Sequence, residues 1–393
     1  GASTYAIVTA SADSGVQIID ISDPTDIVAV DAETDGVNGF TELQGARGVD
    51  TFTIGSSTYA IVTGKFYNGV QMIDVSDPTN IVAVDAETDS ANGFDRLDQA
   101  HGVDTFTIGA STYAIVTGPN RENMPMMTDG IQVIDVSDPT NIVAKDSASH
   151  LDMQIDRAHG VETFTIGAST YAIVTSQGGS TSGVQIIDVS DPTNIVAKDK
   201  LTDSGSLELD GAKHVDTFVI GSNTYAIVVS EVDYGIQIVD ISDPTTLVAK
   251  DAETDGANGF TELDGASVVD VFSIFNRTFA IVAAYEDDGV QIIDISDPTD
   301  IVAINVQTDG SNSFTELDGA SDVKTFVING IMHTIVAAYD DDGIQIIQLH
   351  YDDPKEVTTF PPHIHDEVII SINSDDTFVL NMKDSDITNI SAN

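Results

Sequence analysis

The chain has 393 residues, of which 64 are acidic and 14 basic, so that its formal net charge is −50, and it contains neither cysteine nor tryptophan. Such an acidic surface excludes nucleic acid as a partner, because phosphate binding needs a basic face. Inorganic cations are the natural small partners. Disulfides, zinc–thiolate sites and cysteine nucleophiles are excluded, and no apolar run approaches the roughly 20 residues of a membrane-spanning helix.

A phrase close to STYAIVT…GVQIIDISDPTNIVAVDAETDG recurs seven times along almost the whole chain. Every copy contains a Ser-Asp-Pro turn or, in the last copy, Asp-Asp-Pro, and the prolines are Pro24, Pro78, Pro139, Pro192, Pro244, Pro298 and Pro354. Repeats of this length with several short apolar runs are typical of propeller blades, and the 3.6-residue periodicity of a helical solenoid is missing. The sequence therefore predicts an all-β, seven-bladed β-propeller that forms one domain.

The chain begins inside a repeat, because residues 1–8 duplicate residues 109–116. From this we expect a leader to have been removed and the protein to be secreted or held at the cell surface, although a truncated chain would look the same. The opening copy supplies a second, a third and a fourth strand of a blade but no innermost strand.

The second copy shows the pattern of a complete blade. Four runs rich in β-branched and aromatic residues predict four antiparallel strands, at residues 49–54, 58–63, 69–75 and from 81 onwards. Pro78 suits the turn before the fourth strand, and Asp77 can accept a hydrogen bond from the backbone of that turn.

Aromatic residues recur at one place on the first strand and at one place on the second. We predict that they pack between neighbouring blades, since a blade that is apolar on both faces cannot bury itself alone. The first-strand set is Phe52, Phe106, Phe164, Phe218, Phe272 and Phe326, and the second-strand set is Tyr5, Tyr59, Tyr113, Tyr171, Tyr225, Phe279 and His333.

The C-terminal segment supplies candidates for the missing strand. Residues 367–372 are predicted to become the innermost strand of the first blade, so that the ring closes by pairing of the C-terminal strand with the N-terminal blade. Residues 377–382 are then surplus. They either cap the domain or add to a sheet edge of another protomer. The predicted organisation is a propeller over residues 1–373 and an extension over residues 374–393, with self-association or a surface partner.

The third strand and its turn, GVQIIDISDPT at residues 15–25, together with the preceding TYAIV, resemble the LVIVD-repeat family of extracellular β-propellers. The motifs AHGV at residues 100–103 and 158–161 are similar to the one that opens the innermost strand in that family. The resemblance spans about residues 1–360, and marine archaeal surface proteins carry similar acidic copies. It implies a secreted or surface-attached propeller, commonly without assigned catalysis, and supplies no substrate.

The linkers between blades carry oxygen ligands with the spacing of a calcium loop. Positions 1, 3, 5 and 12 are acidic and position 6 is glycine in two copies, which supply Asp31, Glu33, Asp35 and Glu42, and Asp251, Glu253, Asp255 and Glu262. In the second linker Arg96 replaces the closing glutamate, and the flanking helices of an EF-hand are missing. Two interpretations stay open: Ca²⁺ bound at these loops, or a solvated acidic face.

A second candidate site lies where the innermost strands open, at one mouth of the central channel. The candidates are Arg47, His101, His159 and His214, with Asp104 and Glu162 a few residues further along. They could form a small-ligand or metal site, or the cations could simply balance the carboxylates. Two sequons, at Asn276 and Asn389, are candidate glycosylation sites.

These patterns favour a non-enzymatic structural or interaction propeller at the cell surface, and the surplus C-terminal strand would allow it to be the protomer of a filament or another strand-exchanged assembly. The alternative is a calcium-supported propeller that binds a glycan, a polymer or a protein. A hydrolase or lyase with its site at the channel mouth is the third hypothesis, for which the copies nominate no catalytic residues.

Overall fold

The computed structural model describes residues 3–119, 129–153, 155–178, 181–312, 314–350, 369–371 and 377–381. Within these ranges the regular structure consists of β-strands arranged in seven sheets, without an α-helix. The prediction of an all-β, seven-bladed propeller is confirmed. None of the described residues forms a helix that is long and apolar enough to cross a membrane.

The chain divides into two compact units, each of which is considered by itself. Unit 1 contains residues 1–233 and 237–250, and unit 2 contains residues 234–236 and 251–393. The strands of the first five sheets belong to unit 1, apart from residues 235–236 of β18 and residues 251–254 of β19, and the last two sheets belong to unit 2.

The first sheet has three strands, in the order β1-β2-β3. They are β1 (Tyr5–Ala10), β2 (Gly15–Asp20) and β3 (Val28–Thr34). The second and third sheets have four strands each. They are β4 (Ala46–Ile54), β5 (Ser57–Gly64), β6 (Gly69–Asp74) and β7 (Val82–Thr88), followed by β8 (Val103–Ile108), β9 (Ser111–Gly118), β10 (Gly130–Asp135) and β11 (Val143–Ser149).

The fourth, fifth and sixth sheets repeat this meander of four antiparallel strands. The fourth contains β12 (Ala158–Ile166), β13 (Ser169–Ser176), β14 (Gly183–Asp188) and β15 (Val196–Thr202). The fifth contains β16 (Ala212–Ile220), β17 (Asn223–Ser230), β18 (Gly235–Asp240) and β19 (Val248–Thr254). The sixth contains β20 (Ala266–Ile274), β21 (Arg277–Ala284), β22 (Gly289–Asp294) and β23 (Val302–Thr308).

The seventh sheet has the order β24-β25-β26-β28-β27. Its strands are β24 (Ala320–Ile328), β25 (Ile331–Ala338), β26 (Gly343–His350), β27 (Ile369–Ser371) and β28 (Thr377–Asn381). The predicted pairing of residues 367–372 with the first blade is wrong, because β27 pairs with β28, which pairs in parallel with β26. Here β28 occupies the edge of the third strand that the fourth strand covers in the other blades, and an uncovered edge would leave backbone groups unpaired.

The Ser-Asp-Pro turn forms as the sequence indicates. The Asp77 carboxylate accepts hydrogen bonds from the backbone nitrogen of Thr79, at 3.0 Å, and from its hydroxyl, at 2.6 Å. The same two bonds form at Asp23 and at Asp297. These bonds lower the pKa of each of the three aspartates, and the turn is therefore closed by an ionised side chain.

Each hydrophobic cluster draws on two successive blades. Phe52 of the second blade packs with Phe94 and Leu97 of the following linker and with Ile134 of the third blade. The Phe52 ring also stacks on Tyr59 within its own sheet, with 5.9 Å between the centroids. In unit 2, Phe272 and Phe279 contribute to a cluster that includes Val336 and Ile347 of the seventh blade. The prediction that the recurrent aromatics form an inter-blade core is confirmed for these residues, whereas Tyr5, on the first strand of the chain, is 39% exposed.

A buried glutamine in the third strand anchors the linker that enters its blade. Gln71 accepts a hydrogen bond from Thr41 of the linker, at 2.9 Å, and donates one to the carbonyl of Asp85 on the fourth strand, at 2.8 Å. Gln132 and Gln291 make the equivalent pair of bonds in their own blades. Each linker therefore has a fixed path past the outer half of the blade.

Candidate functional site

The openings of the innermost strands of unit 1 carry several basic and imidazole side chains. Arg47 lies on β4, His101 just before β8, His159 on β12, and Lys213 with His214 on β16. In unit 2 the position of Arg47 is taken by Ser267 on β20 and by Ser321 on β24. These residues differ between copies while the flanking strands repeat.

The two histidines lie against each other. The centroids of the His101 and His159 rings are 3.7 Å apart, and Nδ1 of His159 lies 3.0 Å from the carbonyl oxygen of Lys213. A carbonyl accepts, so Nδ1 of His159 carries a proton and donates. Burial lowers the pKa of both imidazoles well below its usual value, and nearby cations lower it further. Both rings are therefore uncharged at neutral pH.

Three cations surround this pair. The charges of Arg47, Lys65 and Lys213 all contribute to the low pKa of His101, and Lys65 has its own pKa lowered by burial and by Arg47. Lys213 pairs with Glu231 at 3.3 Å, whereas neither Arg47 nor Lys65 appears among the salt bridges of the described residues. His214 is also close enough to lower the pKa of His159. We call Arg47, Lys65, Lys213, His101 and His159 the basic cluster.

The carboxylates further along the innermost strands bond to neighbouring strands. Asp50 accepts from the backbone nitrogen of Thr105 on the next blade, at 2.8 Å, and Asp104 accepts from that of Thr163, at 2.7 Å. Burial, and the charge of Asp50, raise the pKa of Asp104 to about 6. Glu162 lies at the equivalent position of β12. In unit 2, Asp270 accepts from Thr325 and also from Nζ of Lys324, at 2.6 Å.

A threonine hydroxyl joins successive blades at this end of unit 1. The hydroxyl of Thr63 donates to the carbonyl of His101, at 2.7 Å, and accepts from the backbone nitrogen of Gly48, at 2.9 Å. A Cβ on Gly48 would meet the His101 carbonyl oxygen at 2.3 Å, so the contact requires glycine. Gly102 with Thr117 repeats the arrangement.

Unit 2 makes the equivalent connection from the other strand. The hydroxyl of Ser267, on the first strand of its blade, lies within hydrogen-bonding distance of the carbonyls of Ala283, Ala320 and Ser321, at 3.1 to 3.3 Å. The positions that hold glycine and threonine in the second, third and fourth blades are Val268 and Ala283 here. The serine therefore replaces both the cationic side chain and the threonine link.

The first acidic residue of each calcium-like linker joins two blades. Asp31 accepts from the backbone nitrogen of Ile81 at 2.8 Å, and Asp251 accepts from that of Ile301 at the same distance. Both aspartates lie inside outer strands, β3 and β19, rather than in a loop. Asp85, Asp146 and Asp199 make the same bond.

The other calcium candidates also have partners within the chain. Glu33 and Glu253 accept from the side-chain amides of Asn38 and Asn258. Asp35 and Asp255 accept from the backbone nitrogens of the leucines that follow Glu42 and Glu262. The described residues include no group of three or more histidine or acidic side chains placed to hold a metal ion. Calcium binding stays a prediction, and a calorimetric titration with Ca²⁺ that shows no heat would contradict it.

Glu42 and Glu262 have an environment that the sequence did not reveal. Each is 8% exposed, with Oε1 accepting from a threonine hydroxyl, of Thr88 at 3.0 Å or of Thr308 at 2.8 Å. The other oxygen, Oε2, is buried without a hydrogen-bond partner in both. Burial is the main reason that the pKa of each rises to about 7.

The turns between second and third strands expose aromatic side chains, which the repeat pattern did not bring to attention. Phe66 and Tyr67 in unit 1 are 52% and 43% exposed. In unit 2 the rings of Tyr285 and Tyr339 are 6.3 Å apart, and Tyr339 is 51% exposed. The signal in the sequence was their position in the acidic or basic turns that precede each third strand.

The two sequons differ in what the structure says about them. Asn276 is exposed, in the turn between β20 and β21, where a glycan would find room. Asn389 lies outside the described residues. Glycosylation stays a prediction at both.

Seven successive sheets, five of them four-stranded antiparallel meanders that run from the inner strand to the outer one, define a β-propeller. The LVIVD repeat matches residues 4–31, 171–203, 221–252 and 279–307, so the chain is a β-propeller that carries LVIVD repeats, and the resemblance seen in its sequence is confirmed. No curated protein matches the chain in sequence.

Solved structures share the fold at low identity. A functionally unknown protein from Desulfotomaculum acetoxidans is 12% identical with a TM-score of 0.59, over 88% of this chain and 92% of that one. The periplasmic gluconolactonase PpgL of Pseudomonas aeruginosa is 8% identical with a TM-score of 0.61, over 88% and 95%. A hypothetical selenium-binding protein from Sulfolobus tokodaii is 11% identical with a TM-score of 0.53, over 88% and 89%. At such identities the likeness concerns the fold alone.

Proposed function

We propose that this LVIVD-repeat propeller is a non-enzymatic interaction module of the cell surface that associates with further copies of itself. The observation that carries the proposal is a pair of exposed aromatic patches with opposite local charge. The carboxylates that could serve a catalyst, such as Asp50 and Asp104, accept hydrogen bonds from neighbouring strands instead.

The first patch, Phe66 with Tyr67, is basic. Lys65 precedes it in the same turn, and Arg47 is near enough to lower the pKa of Lys65. The Phe66 ring packs over the backbone of Gly45, where an added Cβ would meet it at 2.6 Å. Because the ring rests on rigid backbone, it presents its apolar surface at a small cost in entropy.

The second patch, Tyr285 with Tyr339, is acidic. The hydroxyl of Tyr285 donates to the carboxylate of Asp340 at 2.9 Å, and Asp340 raises the pKa of that tyrosine to about 12. Glu286 follows in the same turn and is exposed. The basic patch of one copy therefore complements the acidic patch of another in charge and in apolar character.

A contact between two different patches is heterologous. Such a contact closes into a ring or continues as an open filament, depending on the rotation between copies. A location outside the cell is supported by the exposed sequon at Asn276 and by the resemblance to extracellular propellers. Self-association at the cell surface thus accounts for the exposed aromatics and the charge of their turns in an LVIVD-repeat propeller.

Sedimentation velocity over a range of protein concentrations tests this function. We expect assembly that grows with concentration and is weakened by Phe66→Ser with Tyr67→Ser, and equally by Tyr285→Ser with Tyr339→Ser. A mixture of the two double variants should form one-to-one pairs, because each retains one intact patch. Phe275→Ser is the matched control, as that ring is 70% exposed but lies in a turn between first and second strands. Monomers at every concentration would overturn the proposal.

A further inference from the structure

The basic cluster is unusual for this protein. Of the 14 basic residues in a chain with 64 acidic ones, three start from backbone next to the adjacent rings of His101 and His159. Gly48, which follows Arg47, donates to the His101 carbonyl at 3.1 Å, and His159 donates to the carbonyl of Lys213 at 3.0 Å. Lys65 follows Gly64, which is the cross-strand partner of Ala46. Like charges placed together repel, and each lowers the pKa of its neighbours. Such an arrangement needs a compensating negative group.

Carboxylates of the chain balance one of the three cations, because Lys213 pairs with Glu231 at 3.3 Å, and leave the charges of Arg47 and Lys65 to be accounted for. In unit 2 a carboxylate balances a cation directly, since Nζ of Lys324 lies 2.6 Å from Oδ1 of Asp270. In unit 1 the corresponding carboxylates, Asp50 and Asp104, accept from threonines of the next blade. Arg47 and Lys65 are not among the residues of the salt bridges found in the described part of the chain.

The backbone around the cluster is held firmly. The carbonyl of Arg47 accepts from the hydroxyl of Thr9 at 2.6 Å, that of His101 from Thr63 at 2.7 Å and that of His159 from Thr117 at 2.5 Å. Each of these bonds joins two blades. The side chains that start from this backbone are therefore positioned by the scaffold, which favours binding over mere solvation.

The side chains offer donors of the right kind. Arg47 is exposed, Lys65 and Lys213 are partly buried, and guanidinium and ammonium groups donate to carboxylate, phosphate or sulfate oxygens. The two imidazoles add no charge in the free protein, so the positive field comes from the arginine and the lysines. A small ion suits the site better than a polyanion. A long chain of negative charge would extend more than about 10 Å from the cluster, where the acidic surface would repel it.

We propose that the basic cluster of unit 1 binds one small oxyanion, a carboxylate, phosphate or sulfate, between the openings of its innermost strands. The anion contacts Arg47 and Lys213, and Lys65 contributes charge from the adjacent turn. This site does not depend on the self-association proposed above, since it uses the cations at the strand openings rather than the aromatic patches.

Isothermal titration of the full chain with inorganic phosphate, sulfate and succinate at low ionic strength tests the site and ranks the three chemistries. We expect one binding event per chain for at least one of them. Arg47→Gln and Lys213→Gln should each weaken it about tenfold, the worth of one charge-assisted hydrogen bond. The melting temperature of each variant shows that it is folded.

Lys198→Gln is the matched control. It removes the same charge from unit 1, but Lys198 pairs with Asp188 at 3.0 Å on an outer strand. We expect its affinity to stay within about twofold of that of the unchanged chain, because the charge of Lys198 is already paired with Asp188 and contributes little to the field at the innermost strands. The double variant Phe66→Ser, Tyr67→Ser should also bind the anion, which separates this test from that of self-association. Absence of heat with all three anions, or equal weakening by Lys198→Gln, would overturn the proposal.

Discussion

Each buried glutamate lowers the stability of the folded chain when its carboxyl is ionised. Oε2 of Glu42 lies against Gly69, where an added Cβ would meet it at 2.2 Å, and Asp35 and Glu87 add their negative charge. No donor among the described residues satisfies that oxygen. The carboxyl is therefore easier to keep protonated than ionised.

Glu42→Gln should stabilise the protein at pH 8 by about 2 kcal/mol and leave it unchanged at pH 4. The folded pKa, about 7, is raised above the ordinary 4.5. The contribution of the Glu42 carboxyl to stability is therefore fully present below pH 4.5 and is lost as the pH rises to about 7, because this carboxyl ionises at a lower pH in the unfolded chain than in the folded one. Glutamine removes that loss. Urea unfolding at both pH values measures it.

The control for this comparison is Glu286→Gln, an exposed glutamate whose loss changes the net charge by the same amount. A gain at pH 8 that equals that of Glu42→Gln would assign the effect to net charge. Glu262→Gln should repeat the gain, since its environment is the same, with Thr308 in place of Thr88.

Between neighbouring blades, polar contacts recur at both edges of the sheets. The outer edge is joined by an aspartate, as Asp85 to Ile142, and the inner edge by a hydroxyl, as Thr117 to His159. The hydrophobic cluster of Phe52 and Ile134 lies between blades as well. Successive blades therefore share a hydrophobic core, with hydrogen bonds between the blades at its inner and outer edges. These contacts stabilise a repeat that is not stable by itself.

Asp85→Ala should cost about 1–3 kcal/mol, because the amide of Ile142 would lose its acceptor at a largely buried position. The free energy of unfolding in urea measures the loss. Asp26→Ala is the control, since Asp26 is an exposed aspartate of a turn in the same unit. Equal effects of the two substitutions would show that the bond between blades contributes nothing.

At this scale the sequence was a good guide to some features and a poor one to others. The strands, the turn at Asp77 and the aromatic core follow from short-range patterns that each copy repeats. The role of Asp31 does not, because its partner, Ile81, is 50 residues away and the spacing of Asp31, Glu33 and Asp35 imitates a calcium loop. Arg47 and Lys65 are likewise separate in sequence and meet only because β4 and β5 are antiparallel. The pairing of β28 with β26 depends on a free strand edge, which periodicity does not reveal.

The whole molecule is shaped by its charge. At a net charge of −50, carboxylates repel one another across the surface. This repulsion is stronger in the folded state, because the carboxylates lie closer together there than in the unfolded chain. Screening of these charges by salt should therefore stabilise the folded state. The aspartates of the Ser-Asp-Pro turns add to the repulsion over most of the pH range, since hydrogen bonds lower the pKa of Asp23 and Asp77.

Raising sodium chloride from about 0.05 M to about 1 M should raise the melting temperature, because the Debye length falls from more than 10 Å to about 3 Å. Scanning calorimetry measures the shift. Tetramethylammonium chloride should act equally if screening is the cause. A rise with sodium alone would point to specific cation sites, and a fall with both salts would contradict the expectation.

The link at the inner rim constrains how the copies can be rearranged. A hydroxyl from the second strand is accompanied by glycine on the first, as with Thr63 and Gly48, whereas a serine on the first is accompanied by alanine on the second, as with Ser267 and Ala283. Recombination that joined a first strand of one kind to a second strand of the other would crowd the junction or leave it without a hydroxyl. Genetic exchange between copies of these two different kinds can therefore preserve the contact only when its breakpoints keep both strands of a hairpin together.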